Sequence, residues 1–213
     1  MIDWTQKGRY ERNWVDAEQF TQQDPTTPAR KALLAAAVQR YLGRAEGAAL
    51  DVGCGAGEFV AYLGSLGFQA HGVDLSENAV AYTQQRCPEA TVCQASAEDG
   101  LPFPPEQFTL VMATEVVEHL LEPQQAINQM ARVLRPGGVL ILTTPYHGVL
   151  KNLWLALFHF EQHFGVEGGH IRFFTRRSLG KGLRDAGLQV LEQRGYGRRW
   201  PVYKSIFAVA RKA

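Results

Sequence analysis

A glycine-rich turn holds the residues of this chain that point most directly to chemistry. The segment Asp51-Val-Gly-Cys-Gly-Ala-Gly57 closes one short apolar run, and Gly72-Val-Asp74 closes the next. This pattern predicts a strand, a glycine turn that opens a helix, and a carboxylate at the tip of the following strand. Because glycine has no side chain to clash, such a turn lets a ligand approach the backbone closely. We therefore expect a nucleotide-like ligand at this turn.

The residues around the turn restrict what kind of ligand it can be. The dinucleotide fingerprint G-x-G-x-x-G places a pyrophosphate on a helix N-terminus, whereas this turn has the spacing G-x-G-x-G and is preceded by Asp51. The Asp51 carboxylate would repel a pyrophosphate but could accept from an ammonium group, directly or through water. Asp74 could accept from both hydroxyls of a ribose and would disfavour a 2′-phosphate. An ammonium group, close backbone approach and a ribose diol together describe S-adenosylmethionine.

Short apolar runs alternate with helical patterns along the chain, which predicts a doubly wound α/β fold around a mostly parallel sheet. Strands are expected at Ala49–Val52, Gln69–Val73, Thr91–Gln94, Phe108–Ala113 and Val139–Thr143. Helices are expected from Thr27 or Pro28 to Leu42, and at about Gly57–Leu66, Ser76–Arg86, Pro123–Val133 and Arg176–Ala186, with Ser76 as an N-cap. Two further strands, Gln189–Gly195 and Ser205–Arg211, complete seven strands and predict an antiparallel hairpin at the sheet edge.

Length and composition set the limits of this interpretation. A chain of 213 residues with 46% hydrophobic content can bury the core of one α/β domain. We divide it into an N-terminal lid or helical segment (1–45), a cofactor-binding core (46–145), a substrate-side insertion (146–175) and a C-terminal helix and hairpin (176–213). A net charge of +1 provides no field that would attract nucleic acid. The odd number of cysteines, and the lack of an apolar leader or a run long enough to cross a bilayer, favour a cytoplasmic protein.

Five segments, in the same order, resemble motifs of the class I S-adenosylmethionine-dependent methyltransferases. They are Asp51–Gly57, Gly72–Ser76, Gln94–Glu98 with the following Leu101-Pro-Phe, Phe108–His119 and Leu134–Leu140. The resemblance runs from about Pro28 to the end of the chain and implies a Rossmann-like methyltransferase fold. It implies that the cofactor is contacted by Arg30, Asp51, Gly53, Cys54, Gly55, Gly57, Asp74, Leu75, Ser96, Ala97, Glu98 and Thr114.

One position departs from the family pattern at the adenine end of the site. Many relatives have an aspartate where Ser96 stands, and that carboxylate accepts from the adenine amino group. Ser96 is a weaker acceptor, while the backbone N–H of Ala97 is expected to donate to the ring. We therefore expect adenine to be recognised through a looser polar clamp.

Two segments narrow the resemblance to the ubiquinone-biosynthesis type of O-methyltransferase. Thr114-Glu-Val-Val-Glu-His119 is similar to the motif after the fourth strand in those enzymes, and Pro28-Ala-Arg30 is similar to their Pro-x-Arg. By this resemblance Arg30 would bind the cofactor carboxylate and Thr114 would line the methionine end. It implies methyl transfer to a small molecule, with a hydroxyl oxygen favoured as the acceptor atom. Transfer to nitrogen or carbon, a cofactor-binding protein without activity, and a nicotinamide dehydrogenase stay open.

Methyl transfer to a hydroxyl benefits from a base, and three histidines are candidates. His119 leads, because the turn after the fourth strand lies at the edge where open α/β sheets bind ligands; His147 and His170 are the others. His119 could instead hold the local turn. Its spacing from Glu115 and Glu118 also allows a divalent metal beside a catechol-like acceptor, although turn capping and the helix dipole explain the same residues and we predict no metal. We interpret Cys54 as a small residue that fits the turn.

The segment Val149–Phe160 is the main indication of the acceptor's character. Its apolar residues recur at helical spacing: Leu150, Leu153, Trp154, Leu157 and Phe158. They could form a lid over a hydrophobic or aromatic acceptor, a dimer interface or a lipid-facing patch, or simply pack against the sheet. Basic residues near the hairpin could neutralise a carboxylate on the acceptor or form a solvated face: Arg194, Arg198, Arg199 and Lys204.

Overall fold

Helices alternate with strands along most of the part of the chain that the computed structural model describes, residues 25–159 and 171–213. The strands are β1 (Ala48–Val52), β2 (Gln69–Asp74), β3 (Thr91–Gln94), β4 (Phe108–Thr114), β5 (Leu134–Pro145), β6 (Leu188–Tyr196) and β7 (Ser205–Lys212). The helices are α1 (Thr27–Tyr41), α2 (Glu58–Leu66), α3 (Glu77–Arg86), α4 (Pro123–Val133), α5 (Val149–Phe158) and α6 (Arg176–Asp185). A single 3₁₀ turn, Val117–His119, follows β4.

The strands form one seven-stranded sheet in the order β3-β2-β1-β4-β5-β7-β6. The first five strands pair in parallel, whereas β7 is antiparallel to both of its neighbours. This confirms the predicted mostly parallel α/β fold. The chain runs outward from β1 in one direction and from β4 in the other, so the carboxyl ends of β1 and β4 flank a topological switch point. Open α/β sheets bind their ligands in the crevice at such a point.

The expected C-terminal hairpin is antiparallel, but only one of its strands lies at the edge. Strand β7 is inserted between β5 and β6, with Ser205 opposite Pro145 and Arg211 opposite Val139. Residues 205–210 are buried without interruption, as expected for a strand covered on both faces. Strand β6 is mostly half-buried and forms the edge. The predicted antiparallel hairpin at the sheet edge is therefore confirmed, with β6 as its outer strand and β7 as its inner strand.

Helices cover both faces of the sheet and enclose two apolar layers. On one face α4 and α6 contribute Ile127, Met130, Leu179 and Leu183 to the core. On the other face α1 and α2 contribute Leu34, Val38, Phe59 and Leu63. The carboxyl ends of β1, β2 and β4 are thereby held in fixed positions by two packed layers.

Several boundaries differ from the sequence prediction for local reasons. Strand β5 begins at Leu134 rather than at Val139, since Leu134 pairs with Phe108 across a register shift. Helix α2 begins at Glu58, because Gly57 has φ +71° and acts as the N-cap. Ser76 caps α3 as predicted, its side chain accepting from Ala79 N–H at 3.2 Å. The division of the chain at 45, 145 and 175 stays a prediction.

Within the described ranges, no helix combines the length and the apolar character needed to cross a bilayer.

The capping box that starts α6 is expected to contribute measurably to stability. Thr175 Oγ1 accepts from Ser178 N–H at 3.1 Å, and Ser178 Oγ accepts from Thr175 N–H at 2.9 Å. Replacing Thr175 by alanine should lower the free energy of unfolding by about 1 kcal/mol in urea titrations, because one orphan helix donor loses its acceptor. Ser65→Ala, which removes an exposed hydroxyl from α2, is the matched control. Equal midpoints for the two variants would contradict the capping role.

Candidate active site

The glycine turn is anchored to the end of β2 by backbone hydrogen bonds. The N–H groups of Gly53 and Cys54 both donate to Val73 O, at 2.7 and 3.0 Å, and Gly57 N–H donates to Cys54 O at 2.9 Å. Thr83 Oγ1 on α3 donates to Gly55 O at 2.7 Å. The turn is therefore held by a strand on one side and by a helix on the other.

The conformation of the turn requires glycine at its first and third glycine positions. Gly53 has φ +72°, and a Cβ there would lie 2.5 Å from Val116 Cγ2. Gly57 has φ +71°, and a Cβ there would lie 2.8 Å from Thr83 Cγ2. Neither position has room for a side chain. The backbone therefore carries no side chain at these two positions, where the sequence predicts a ligand.

Asp74 lies at the end of β2 and is oriented by two backbone donors. Its Oδ2 accepts from Gly55 N–H at 2.9 Å, and its Oδ1 accepts from Ser76 N–H at 3.0 Å. Each carboxylate oxygen has capacity for a further hydrogen bond. Asp74 is thus fixed beside the turn with both oxygens suited to a vicinal diol, as the sequence predicts.

Asp51 is a buried acceptor at the carboxyl end of β1, with only 1% of its surface exposed. Among the described residues, no donor bonds its Oδ1. Burial raises the pKa of this carboxyl well above its usual range, the negative charge of Asp74 raises it further, and the positive charge of Arg30 opposes both. A cationic donor placed against Asp51 would satisfy the orphan oxygen and favour the ionised form. The site therefore fits an ammonium-bearing ligand such as S-adenosylmethionine.

Arg30 brings helix α1 into this site. It is buried, and its guanidinium carbon lies 5.7 Å from the centre of the Phe59 ring. Its positive charge acts on Asp51 and on Glu118, lowering the pKa of each carboxyl against the effect of burial. The predicted Pro-x-Arg arginine is therefore within electrostatic reach of the end of β1.

The polar groups predicted to lie near adenine make hydrogen bonds to neighbouring residues of the protein. Ser96 Oγ accepts from the N–H groups of Glu98 and Asp99, both at 3.2 Å. The Glu98 carboxylate accepts from Glu122 N–H, just before α4. Ala97 is buried, and Leu75 O accepts from the Gln94 side chain at 2.9 Å. Ser96 thus shapes the turn that would present the Ala97 backbone, and its role toward adenine stays a prediction.

The turn after β4 follows Thr114, and its two glutamates have different hydrogen-bond partners. Glu115 has φ +55°, and its carboxylate accepts from Tyr196 Oη at 3.3 Å and from Ser205 Oγ at 3.2 Å. Glu118 is buried and accepts from Thr144 Oγ1 at 3.0 Å. Burial and the charge of Glu115 raise the pKa of the Glu118 carboxyl well above its usual range. In the described part of the chain, no three His, Cys, Asp or Glu side chains are grouped as a metal would need.

The predicted bases lie in different environments. His119 is half-buried at the end of the 3₁₀ turn, where its backbone N–H donates to Val116 O at 2.9 Å. His147 is buried, with Nδ1 3.1 Å from Asn152 Oδ1 and its ring edge-on to Phe173 at 4.6 Å. His170 lies outside the described residues. Burial also raises the pKa of the Cys54 thiol far above its usual range, which agrees with a small packing residue.

Helix α5 has the opposite orientation to an ordinary amphipathic surface helix. Its apolar side chains are exposed at Leu150, Leu153, Trp154, Leu157 and Phe158, whereas Leu155 and Lys151 are buried. Of the alternatives for this apolar stripe, packing against the sheet is therefore wrong. Lys151 Nζ donates to Tyr146 O at 2.7 Å and to Lys204 O at 3.3 Å. The sequence did not lead us to predict Lys151 as a functional residue. A lone cation in the first turn of an apolar helix is nevertheless a feature that could have identified it.

Of the basic residues near the hairpin, Arg194 pairs with Glu192 at 2.9 Å, and Arg198 and Arg199 are exposed. Their binding of a substrate carboxylate stays a prediction.

Substitution at Gly57 should destabilise the turn. Gly57→Ala forces a side chain into a left-handed conformation and against Thr83, so the free energy of unfolding should fall by about 1–2 kcal/mol. Gly64→Ala is the matched control in the same helix, since Gly64 has open space around it. It should raise stability by up to about 1 kcal/mol. Thermal and urea unfolding measure both, and a neutral Gly57→Ala would contradict the turn geometry.

Comparison with known proteins agrees with this geometry. Residues 27–193 match the family described as methyltransferase domain. The ubiquinone biosynthesis O-methyltransferase of Methylococcus capsulatus is 31% identical over 168 residues, which cover 75% of this chain and 70% of that protein. The biotin biosynthesis bifunctional protein of Cellvibrio japonicus is 28% identical over 142 residues, covering 67% of this chain and 28% of that protein.

A solved structure shares the fold over nearly its whole length. Magnesium protoporphyrin IX methyltransferase from Synechocystis PCC 6803, determined with bound SAH, superposes with a TM-score of 0.73 at 17% identity and covers 97% of this chain and 98% of that one. The motif resemblance found in the sequence is thereby confirmed. The chain belongs to the methyltransferase domain family and is an S-adenosylmethionine-dependent methyltransferase.

Proposed function

We propose that the enzyme transfers the methyl group to a hydroxyl oxygen of a small-molecule acceptor by in-line displacement. The observation that carries the donor half of this proposal is the buried Asp51 oxygen that no described residue bonds, beside the Asp74 carboxylate. The similarity to a protein named ubiquinone biosynthesis O-methyltransferase supports oxygen as the acceptor atom. The match to a protein named for biotin biosynthesis supports a small metabolite without fixing its identity.

The residues at the carboxyl ends of β1 and β2 divide the recognition of the cofactor. Asp51 would accept from the ammonium group and Arg30 would bind the carboxylate of the methionine moiety. Asp74 would accept from the ribose hydroxyls, and the bare backbone of Gly53 and Gly55 would lie against the ligand. Thr114 would line the methionine end and the Ala97 backbone the adenine ring. The two charged groups of the methionine moiety would each meet a side chain of opposite charge, and the neutral ribose and adenine would meet hydrogen-bonding groups.

The bound cofactor supplies a sulfonium methyl group that is already electrophilic. The protein therefore has two tasks, which are to hold the acceptor oxygen in line with the S–CH₃ bond and to remove its proton. Orientation alone can contribute up to about 7–11 kcal/mol in well-aligned systems. As the new O–CH₃ bond forms, the S–CH₃ bond breaks and its electron pair stays on sulfur. The acceptor proton must leave to a base at the carboxyl ends of β4 and β5, where His119 and His147 lie.

Transfer to nitrogen or carbon of a small metabolite is the second candidate, and a cofactor-binding protein without transfer activity is the third. The three candidates share every interaction assigned to the donor. They differ only at the acceptor, so a direct product analysis separates them.

The role of Asp74 can be tested by isothermal titration with S-adenosylmethionine and with S-adenosylhomocysteine. Asp74→Ala removes an acceptor for the ribose diol and releases Gly55 N–H, so the dissociation constant should rise by about 10- to 100-fold. Asp185→Ala, which breaks an exposed ion pair with Lys181, is the control and should bind like the wild type. Undiminished binding by Asp74→Ala would refute the assigned ribose site.

The acceptor atom can be tested with a panel of metabolites. Phenols, enols, aliphatic alcohols, amines and carbon acids are incubated with S-adenosylmethionine, S-adenosylhomocysteine release is measured, and the products are identified by mass spectrometry. We expect release with hydroxyl acceptors and an O-methyl product. An N- or C-methyl product would favour the second candidate, and tight cofactor binding with no release from any class would favour the third.

A further inference from the structure

The environment of Lys151 is unusual for a lysine. Only 7% of its surface is exposed, although most residues of helix α5 around it face outward. Its Nζ donates to Tyr146 O, just beyond β5, and to Lys204 O, just before β7. Tyr146 O follows the end of β5 and Lys204 O precedes the start of β7. Both therefore lie at the same edge of the sheet as Thr114 and Glu115. Lys151 is thus held where the acceptor is expected to meet the donor.

The charges around Lys151 disfavour its ammonium form. Lys151 is the third residue of α5, at the positive end of the helix dipole. The positive charges of Arg198 and Lys204 face it from the segment between β6 and β7, and the negative charge of Glu115 faces it from the turn after β4. Burial, followed by the charge of Arg198, lowers the pKa of Lys151 to about 8. A sizeable fraction of the amine is therefore neutral in mildly alkaline solution.

The two carbonyl contacts also orient the amine. A neutral amine has two N–H bonds and one lone pair. If both N–H bonds point to Tyr146 O and Lys204 O, the lone pair is left in the one remaining tetrahedral direction. The amine can then lose its positive charge without giving up either hydrogen bond, so the neutral form is not penalised by an orphaned carbonyl.

We propose that Lys151 Nζ takes the proton from the hydroxyl of the methyl acceptor. This proposal rests on the proposed function, since it concerns a hydroxyl acceptor. In the step, the O–H bond of the acceptor breaks and its electron pair stays on oxygen. The proton forms the third N–H bond of Nζ, and the oxygen is then ready to form its bond to the donor methyl carbon. The ammonium afterwards releases this proton to solvent, which restores the amine.

The acidity of the hydroxyl decides which acceptor best tests this base. A phenol has a pKa near 10, so proton transfer to an amine of pKa about 8 is uphill by only about 2 units. An aliphatic hydroxyl is far less acidic, comparable to water at about 15.7, and the same transfer would be uphill by roughly 8 units. The base in this site therefore suits an acidic hydroxyl.

Glu115 provides the counter-charge for the ammonium that forms. Its carboxylate accepts from Tyr196 Oη and Ser205 Oγ, and these two bonds hold it on the β6–β7 side of the site. Burial, together with the charge of Glu115, raises the pKa of Tyr196, so this phenol stays protonated and keeps donating. The protein thus contains a fixed negative charge that favours proton transfer to Lys151.

Lys151 could alternatively serve only to clamp α5 to the ends of β5 and β7. Lys151→Arg separates the two roles, because arginine keeps several N–H donors but does not deprotonate. Lys151→Met keeps the stem without any donor. Lys181→Met, which removes an exposed lysine, is the control and should keep wild-type activity. Cofactor titration and thermal unfolding of each variant establish that it is folded.

The pH dependence of kcat with a phenol acceptor is the decisive measurement. Wild type should gain rate up to pH 8 and then level off, as Lys151 loses its proton. Both Lys151→Arg and Lys151→Met should lose about 10²- to 10⁴-fold at pH 7.5. Their residual rate should keep rising toward pH 10, where the phenol ionises on its own. An electron-poor phenol that is already ionised at neutral pH should reduce the loss to less than about tenfold. Wild-type rates in Lys151→Arg, or disappearance of the limb near pH 8 in His119→Gln instead, would overturn the proposal.

A second readout does not depend on turnover. In protein carrying ¹³C-labelled lysine, the Cε resonance of Lys151, assigned by its absence in Lys151→Arg, should titrate near pH 8 in the cofactor-bound enzyme. A midpoint above about pH 10 would overturn the base role even if phenols are methylated. If the acceptor panel instead yields only N- or C-methyl products, the proposed oxygen transfer itself fails, whatever the midpoint of Lys151.

Discussion

The bond between the Asp74 carboxylate and the glycine turn is the interaction on which the site depends. Asp74 ends β2, Gly55 belongs to the turn after β1, and one hydrogen bond of 2.9 Å joins them. The backbone bonds from Gly53 and Cys54 to Val73 O reinforce the same junction. Because each partner is fixed by a separate strand, the Asp74 carboxylate and the bare backbone beside it keep a constant separation. The geometry of the proposed cofactor site therefore follows from how two parallel strands pair.

The second organising principle is an excess of carboxyl groups at one edge of the sheet, two of which, Asp51 and Glu118, are buried. Asp51, Asp74, Glu115 and Glu118 lie at the carboxyl ends of β1, β2 and β4, and Arg30 is a buried cation whose charge acts on two of them. Concentrating like charges in a partly dry site raises the free energy of the empty protein. A sulfonium and an ammonium group would neutralise part of this charge. The same electrostatics that weaken the isolated fold thus favour a cationic methyl donor.

The sequence predicted those parts of the fold that depend on local pattern. The glycine turn, the tip position of Asp74 and the Ser76 cap follow from residue types and short spacings, and all three were found. The insertion of β7 between β5 and β6 depends on pairing with β5, more than fifty residues earlier in the chain. The continuous apolar run of β7 indicates only that both of its faces are covered. The burial of Lys151 was missed for a similar reason. Its acceptors, Tyr146 O and Lys204 O, come together only when β5 and β7 pair, while the hydrophobic periodicity of α5 suggested the opposite orientation.

The strand order has a consequence for the order of folding. Strand β6 leaves the ribosome before β7, yet β6 joins the sheet only through β7. Until residues 205–212 emerge, the inner edge of β5 and all of β6 keep unpaired backbone groups, and Glu115 lacks its partner Ser205. An exposed apolar strand edge is a template for association with other chains. The partners of Glu115 and the outer part of the sheet are thus completed only after residues 205–212 have been synthesised.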